Sequence, residues 1–330
     1  MVFMNNSTII YANSSRDPYG TWNGAATIQT LFTIATLATN GVVLSLFICR
    51  PRLCTPFAMY LINLLTANIL MTLANPLRTI ELMRTDWFAW SRWCLVLIYS
   101  DWVSSAVVLH SHFLITTNRI WAIVLPISYR NVHNRKVAVG ICAVMWLYCH
   151  VWLLPLFIRD FLYYGNFDSD RWCIINVNEQ LVYSQVIQVV VFLLPYVAIL
   201  IAYPFLYYRR RMQMRSVMHN QKSIPSSEEH SNKTPASTEQ GQLTTKKPGR
   251  ENSTGFTVLT VQTISVFICW TVTKVYGTVG TFMDIEIGWL GQLGTTMYLV
   301  QMVLDPILFT LALPDLRAAA VQLIKCAYYR

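Results

Sequence analysis

Residues 181–208, LVYSQVIQVVVFLLPYVAILIAYPFLYY, contain no Asp, Glu, Lys or Arg. About 20 predominantly apolar residues suffice for a helix to cross the hydrocarbon core of a bilayer, which is about 30 Å thick. Apolar stretches of similar length recur near 25–49, 57–80, 93–124, 136–158, 255–282 and 287–311. The pattern therefore predicts an all-α fold, a seven-transmembrane helix bundle over residues 25–311.

The composition also favours a membrane protein. Of the 330 residues, 54% are hydrophobic and 12% are charged, whereas soluble domains carry about 25% charged residues. The net charge of +9 does not indicate nucleic-acid binding, because the basic residues cluster between the apolar stretches and are not interleaved with exposed aromatic residues. We therefore expect membrane lipids, and no nucleic acid, around this chain.

The distribution of basic residues predicts the orientation. Lys and Arg concentrate in cytoplasmic loops, and placing Arg50 and Arg52 on that side puts 18 of the 25 basic residues there. Residues 1–24 then form the extracellular N-terminus of a plasma-membrane protein, with glycosylation sequons at Asn5, Asn6 and Asn13. Because MVFMNNSTII shows no cleavable signal, the first span is expected to direct insertion.

Two cytoplasmic segments have distinct compositions. Residues 212–254 are rich in Ser, Thr, Lys, Gln and Pro and have almost no large apolar residues, which predicts a disordered loop. Residues 312–330 follow the last span and place Leu316, Ala320, Leu323 and Ile324 on one side of a helix. This segment is predicted to be an amphipathic helix along the inner membrane surface, followed by a short cytoplasmic tail.

Motifs occur within or beside most of the spans. They are Thr39-Asn40-Gly41-Val42-Val43, Asn63-Leu64-Leu65-Thr66-Ala67-Asn68, Asn118-Arg119-Ile120, Trp146, Pro195 with Tyr203, Cys269-Trp270, and Asp305-Pro306-Ile307-Leu308-Phe309 followed by Pro314-Asp315-Leu316-Arg317. In this order the motifs resemble those of rhodopsin-like (class A) G-protein-coupled receptors. The stretch Ser100-Asp101-Trp102-Val103-Ser104-Ser105 looks closest to the aminergic, muscarinic branch.

The resemblance implies a receptor, not an enzyme, that passes ligand binding to a heterotrimeric G protein. The residues that it assigns to coupling and activation are Arg119, Asn118, Tyr203, Pro306 and Phe309. Because Asn118 replaces an acid, the usual local ion pair cannot form, and elevated basal signalling is expected. Phe309 replaces a tyrosine and lacks the hydroxyl for a water bridge to Tyr203.

Further implications concern the outer end and the middle of the bundle. The resemblance implies a disulfide between Cys94 and Cys173 on the extracellular side. It also implies an inner polar site of Asn40, Asn68 and Asp305, in which Asn68 replaces an acid and Asp305 replaces an amide. One buried carboxylate then remains available for a sodium ion or a proton, although Val108 stands where many members place a serine ligand. No other cofactor or metal is expected.

Asp101 is the residue most informative about the ligand. It precedes Arg119 by 18 residues, about five helical turns, so both side chains share one helix face. The resemblance implies that an aspartate here binds an ammonium group. Lys274 follows Trp270 by four residues, so both lie on one face of the sixth span and Lys274 is expected in the same cavity. The remaining residues predicted to contact ligand are Trp102, Ser105 and Tyr298.

Several interpretations of this cavity stay open. The ligand could be a small cationic amine that contacts Asp101, or a peptide or anionic molecule that reaches Lys274. Alternatively, Asp101 and Lys274 pair internally and the receptor is constitutively active. The rival from another class is a non-signalling scavenger or heteromer partner, which Asn118, Val272 and Phe309 favour.

Two histidines in the third span do not predict a metal site. His110 and His112 are two residues apart, so on a helix they point about 200° away from each other and cannot chelate one ion. We expect each of them to make packing or polar contacts.

Overall fold

The computed structural model describes residues 24–82, 93–164, 178–222, 248–283 and 287–328. These residues are almost entirely helical, and no strand occurs among them. Seven long helices follow one another: Gly24–Cys49, Pro56–Leu82, Trp93–Val124, Arg135–Arg159, residues 181–222, Pro248–Met283 and Gly288–Ala312. The predicted all-α seven-helix bundle is therefore confirmed.

Two of the helices contain π-helical turns. The fourth helix continues as the segment Asp160–Tyr164. The fifth consists of Leu181–Ile187, the π-helical segment Gln188–Leu193, and Leu194–Lys222. A π-helical turn rotates the side chains that follow it, and such turns are frequent at functional sites.

The third helix lies at the centre of the bundle. The other six long helices are each long and apolar enough to cross a membrane. Trp93–Val124 has the length, 32 residues, but carries Asp101, His110, His112 and Arg119. It packs against the second, fourth, fifth and sixth helices. Its charged and polar side chains are thus shielded by protein, as ionisable groups within a membrane must be.

The bundle is apolar outside and polar at its centre. Large apolar side chains such as Ile48, Leu147 and Ile201 are exposed on the outer surface, where lipid would cover them. Inside, Trp146 Nε1 donates to Asn63 Oδ1 at 2.9 Å, and Asn63 Nδ2 donates to Ser111 Oγ at 2.8 Å. These bonds join the fourth, second and third helices without exposing a polar group to hydrocarbon.

Two short α-helices lie outside the seven long ones. Pro126–Val132 connects the third and fourth helices, and Pro314–Tyr328 follows the seventh. In the latter, Leu316 packs inward while Val321 and Leu323 are exposed, as expected for a helix that rests on a membrane surface. The guanidinium of Arg50 donates to Gln322 Oε1, which ties this helix to the first connection.

The predicted disordered loop, 212–254, includes residues that are helical in the structure at both of its ends. The fifth helix continues to Lys222 and the sixth begins at Pro248. Arg, Met and Gln are good helix formers, so RRRMQMR at 209–215 prolongs the helix beyond the membrane. Residues 223–247 lie outside the described residues, as do the sequons at Asn5, Asn6 and Asn13 and the predicted disulfide partner Cys173.

The sixth and seventh helices approach each other closely at Gly294. A Cβ added there would lie 3.2 Å from Thr273 Cα and 3.1 Å from Thr273 Oγ1, and Thr273 Oγ1 donates to the Gly294 carbonyl at 2.8 Å. We expect Gly294→Ala to lower the free energy of unfolding by about 1–3 kcal/mol, the usual cost of overpacking.

The control for this prediction is Gly140→Ala. Nothing lies within 4 Å of a Cβ at Gly140, so this change should be neutral or stabilising by up to about 1 kcal/mol. Thermal unfolding can be followed with a maleimide dye that reacts with Cys142, Cys149 and Cys269, which are buried free thiols, as they become exposed. Equal midpoints for the two variants would contradict the close helix contact.

Candidate functional site

An aromatic pair lies near Asp101, in the N-terminal part of the third helix. The rings of Trp270 and Tyr298 meet edge to face, with their centroids 5.0 Å apart, and both side chains are buried. The half-buried Asp101 lies close enough for its charge to act on the Tyr298 hydroxyl, and Ser105 also interacts with that hydroxyl. Tyr298 thus lies near Asp101, Ser105 and Trp270; that these residues contact a ligand stays a prediction.

The side chain of Lys274 does not pair with Asp101, because its ammonium group lies against aromatic rings. Its side chain is 2% exposed, and its ammonium nitrogen lies 4.3 Å from the ring centroid of Phe192 and 4.6 Å from that of Trp270. Aromatic ring faces attract an ammonium group. In the part of the chain that the structure describes, no carboxylate lies within 4 Å of this nitrogen.

The internal pair of Asp101 and Lys274 is therefore not formed. Lys274 extends from the sixth helix toward Phe192 on the fifth, not toward Asp101 on the third. Phe192 belongs to the π-helical segment Gln188–Leu193, and its ring also contacts Trp102 edge to face at 6.3 Å. Gln188, in the same segment, donates to Thr278 Oγ1 at 3.1 Å and joins the fifth helix to the sixth.

The inner polar site brings together the three residues that the sequence assigned to it. Asn68 Nδ2 donates to Asn40 Oδ1 at 3.1 Å and to Asp305 Oδ2 at 3.4 Å. Asn40 Nδ2 in turn donates to the Met302 carbonyl at 2.9 Å. All three side chains are almost fully buried. The exchanged Asn and Asp therefore contact each other directly and join the first, second and seventh helices.

A further residue, His112, belongs to the same site. Its Nε2 atom lies 3.2 Å from Asp305 Oδ2, within ion-pair distance, although the angle does not meet the criterion for a hydrogen bond. His110 is turned elsewhere, with its ring 5.3 Å from that of Tyr148. The prediction that the two histidines face different sides and make packing or polar contacts is confirmed.

Amide and hydroxyl groups surround the contact between His112 and Asp305. Gln301 Nε2 donates to Asp305 Oδ1, and Ser265 Oγ donates to Gln301 Oε1 at 2.9 Å. Gln262 Nε2 donates to the His112 carbonyl at 2.7 Å and to Thr116 Oγ1 at 2.9 Å. The centre of the bundle is consequently a hydrogen-bonded network contributed by the second, third, sixth and seventh helices.

Near the C-terminal end of the third helix, Arg119 rests on an aromatic ring. Its guanidinium carbon lies 3.4 Å from the centroid of Phe57, and its Nε atom is buried without a hydrogen bond. Among the described residues no carboxylate lies within ion-pair distance of it. The arginine is therefore held by a cation–π contact.

The neighbouring Asn118 binds the connection that follows the third helix. Its Nδ2 atom lies 3.0 Å from His133 Nε2, and its Oδ1 accepts a hydrogen bond from the Tyr129 hydroxyl at 3.2 Å. The Tyr60 hydroxyl also approaches His133 Nε2, at 3.1 Å. Burial lowers the pKa of His133 and raises the pKa of Tyr129, against the opposing charge of Arg119. Both groups are therefore neutral at neutral pH, and Asn118 is held by neutral hydrogen bonds.

A comparison with known protein families agrees with the seven-helix bundle. Residues 39–309 match the family described as 7 transmembrane receptor (rhodopsin family). The chain belongs to this rhodopsin-family group of receptors. It is a multi-pass membrane receptor and not an enzyme.

Individual relatives of the receptor are distant. G-protein coupled receptor 20 of Homo sapiens is 29% identical over 39% of this chain and 35% of its own length. Proteinase-activated receptor 2 of Rattus norvegicus is 30% identical over 37% of this chain and 31% of its own. Histamine H1 receptor of Cavia porcellus is 21% identical over 74% of this chain and 50% of its own. The matches thus span half or less of each relative's length.

Three residues that the family resemblance assigns to activation have separate surroundings. Tyr203 is half-buried and stacks on Tyr207, with ring centroids 6.4 Å apart. Pro306 lies inside the seventh helix, and Phe309 is buried. Cys94 lies in the first turn of the third helix; its predicted partner lies outside the described residues.

Several residues of the receptor's sites belong to no sequence motif. Phe57, Phe192, Gln301 and His133 contact assigned residues, and Gln262 contacts His112. Polar residues on the sixth helix at Gln262 and Ser265 are the one signal that could have been noticed, because buried amides within a membrane need partners. Phe57 and Phe192 are ordinary apolar residues in sequence, and only helix packing reveals their contacts with cations.

Proposed function

We propose that this receptor binds a small extracellular ligand through an ammonium group that contacts Asp101, and that it signals to a heterotrimeric G protein through Arg119. The observation that carries the proposal is that the ammonium group of Lys274 does not pair with the carboxylate of Asp101. Among the described residues no cation pairs with the Asp101 carboxylate, and Trp270 and Tyr298 supply aromatic faces that suit a ligand cation. One of the relatives is named for histamine, an amine.

The proposal includes the orientation of the receptor. The N-terminus, with Asn5, Asn6 and Asn13, is placed outside the plasma membrane, because the opposite placement would put most basic residues outside. Asp101 then lies near the extracellular end of the third helix and Arg119 near its cytoplasmic end. This arrangement suits a molecule that takes up a ligand on one side and a G protein on the other.

A second candidate is a peptide or anionic ligand that reaches Lys274. It is supported by the same geometry, since Lys274 has aromatic neighbours but no carboxylate partner among the described residues. A buried ammonium group is costly in a membrane protein unless an anion compensates it. The two candidates differ in which charged side chain carries the binding energy.

The test is G-protein activation in cells that express the intact chain, Asp101→Asn or Lys274→Met, across biogenic amines including acetylcholine and histamine. Hydrogen bonds to charged groups contribute about 1.5–3 kcal/mol. We therefore expect Asp101→Asn to shift an amine response by about 10- to 100-fold and Lys274→Met to leave it nearly unchanged.

Other outcomes point elsewhere. No amine response, together with a peptide or anion response that Lys274→Met abolishes, would replace the first candidate by the second. Basal activity without any ligand response would indicate a constitutively active receptor. Silence with verified surface expression would indicate a non-signalling scavenger or heteromer partner.

A further inference from the structure

The inner polar site contains a buried carboxylate that requires a positive counter-charge. Asp305 is 1% exposed, and an isolated carboxylate in such surroundings is strongly unfavourable. The family resemblance suggests a sodium ion near Asn68 and Asp305. A sodium ion can bind there only if enough oxygen atoms around Asp305 are available to coordinate it.

The oxygen atoms that a sodium ion would need are mostly engaged. Asp305 Oδ1 accepts from Gln301, and Asp305 Oδ2 accepts from Asn68 and faces His112. Asn40 Oδ1 accepts from Asn68, and Val108 offers no oxygen. Within the described network, Asn68 Oδ1 and Gln262 Oε1 are buried without a hydrogen-bond partner. Two oxygens on different helices do not make a coordination shell, and hard cations favour oxygen over the imidazole nitrogen that faces Asp305.

Other cationic side chains in the described bundle lie elsewhere. Lys274 rests against Phe192 and Trp270, and Arg119 rests on Phe57. His112 is the side chain that reaches Asp305, and it is 0% exposed. We infer that His112 fills the position beside Asp305 that a sodium ion would need, and that it closes the inner polar site to sodium.

Contacts of the backbone around His112 hold this arrangement in place. The His112 carbonyl accepts from Gln262 Nε2 at 2.7 Å and from Thr116 Oγ1 at 2.9 Å, so the third helix is fixed against the sixth at this level. Asp305 is fixed from its own helix by Gln301. The contact that joins the third and seventh helices at this level is consequently made by side chains of the protein itself. The stability and basal signalling of the receptor should not depend on external sodium.

The experiment compares the purified intact chain in lipid nanodiscs in sodium chloride and in N-methyl-D-glucamine chloride, both at about 0.15 M so that screening is equal. Thermal unfolding is measured for the intact chain, for His112→Ser and for the control His110→Ser. The control removes a neighbouring buried histidine that faces Tyr148. The intact chain and the control should give the same Tm in both salts.

His112→Ser should behave differently, because it removes the imidazole and opens space beside Asp305. An ion that binds only the folded state raises the Tm, so sodium should raise the Tm of this variant by about 2–4 °C. The gain should disappear in His112→Ser/Asp305→Asn. If His112→Ser does not fold, His112→Asn provides the same comparison with a larger polar side chain.

Two results would overturn the inference. One is sodium stabilisation of the intact chain as large as that of the variant. The other is the absence of any sodium effect in both His112→Ser and His112→Asn. Because thermal unfolding does not depend on G-protein activation, either result is distinguishable from failure of the proposed signalling function.

Discussion

Replacing Arg119 with Ala is expected to reduce ligand-independent G-protein activation to the level of mock-transfected cells. In the structure Arg119 is held by the ring of Phe57, not by a carboxylate of the described residues. A desolvated cation–π contact contributes about 2 kcal/mol, whereas breaking a buried ion pair costs about 3–5 kcal/mol. The arginine is therefore weakly restrained, and basal signalling of the intact chain should be readily measurable.

The size of the effect follows from this difference. A restraint weaker by about 1–3 kcal/mol changes the ratio of inactive to active receptor by about 5- to 150-fold. The control is Arg130→Ala, because Arg130 is an exposed arginine in the short helix after the third. Basal activation, normalised to surface expression, should be lost in Arg119→Ala and kept in Arg130→Ala. An unchanged basal signal in Arg119→Ala would contradict the role of this residue.

A substitution at Asn118 tests whether a stronger restraint on Arg119 lowers basal activation. Asn118→Asp would restore a carboxylate beside Arg119 and remove the amide that contacts His133. The new acid should hold the arginine in place and lower basal activation below that of the intact chain. An increase in basal activation would mean instead that the contacts of Asn118 with His133 and Tyr129 are what restrain the receptor.

The positions of the helices could be predicted from the sequence because hydropathy alone specifies them. The third helix occupies 93–124 as predicted, and most other predicted ends within the membrane differ from the structure by one or two residues. The prediction was wrong where composition suggested disorder but local propensity prolonged a helix, as at 212–222. A polar segment has no apolar face that must be buried, but Arg, Met and Gln can still form a helix in it.

The direction of Lys274 could be predicted only in part. Spacing on a helix correctly associates Lys274 with Trp270, which lies 4.6 Å from its ammonium nitrogen. Whether the side chain then turns toward Asp101 or toward the fifth helix depends on where Phe192 lies. That position is affected by the π-helical segment Gln188–Leu193, for which the sequence offers no clear signal.

The role of His112 illustrates the same limit. The separation of two residues shows that His110 and His112 cannot share a ligand, and the structure agrees. Spacing within one helix does not show which partner helix each histidine faces, because that depends on the relative rotation of the third and seventh helices. The motif containing Asp305 identifies a buried carboxylate, but not the imidazole that compensates it.

Breaking the contact between His112 and Asp305 from either side is expected to lower the free energy of unfolding by about 1–3 kcal/mol, the usual loss when a buried polar group is left without its partner. Asp305→Asn removes the carboxyl group that faces His112, and His112→Leu leaves Asp305 Oδ2 facing an apolar side chain. The double variant contains neither partner of the contact. It should therefore be more stable than the sum of the two single losses implies.

The double-mutant cycle measures this coupling, and side chains in direct contact typically show coupling energies of about 0.5–3 kcal/mol. All four proteins should be unfolded in N-methyl-D-glucamine chloride, since sodium would otherwise occupy the space beside Asp305 in His112→Leu and recover part of its loss. The control His110→Leu should combine additively with Asp305→Asn, because His110 faces Tyr148 and not the carboxylate. Additivity for His112 as well would mean that the 3.2 Å contact with Asp305 contributes nothing to holding the third and seventh helices together.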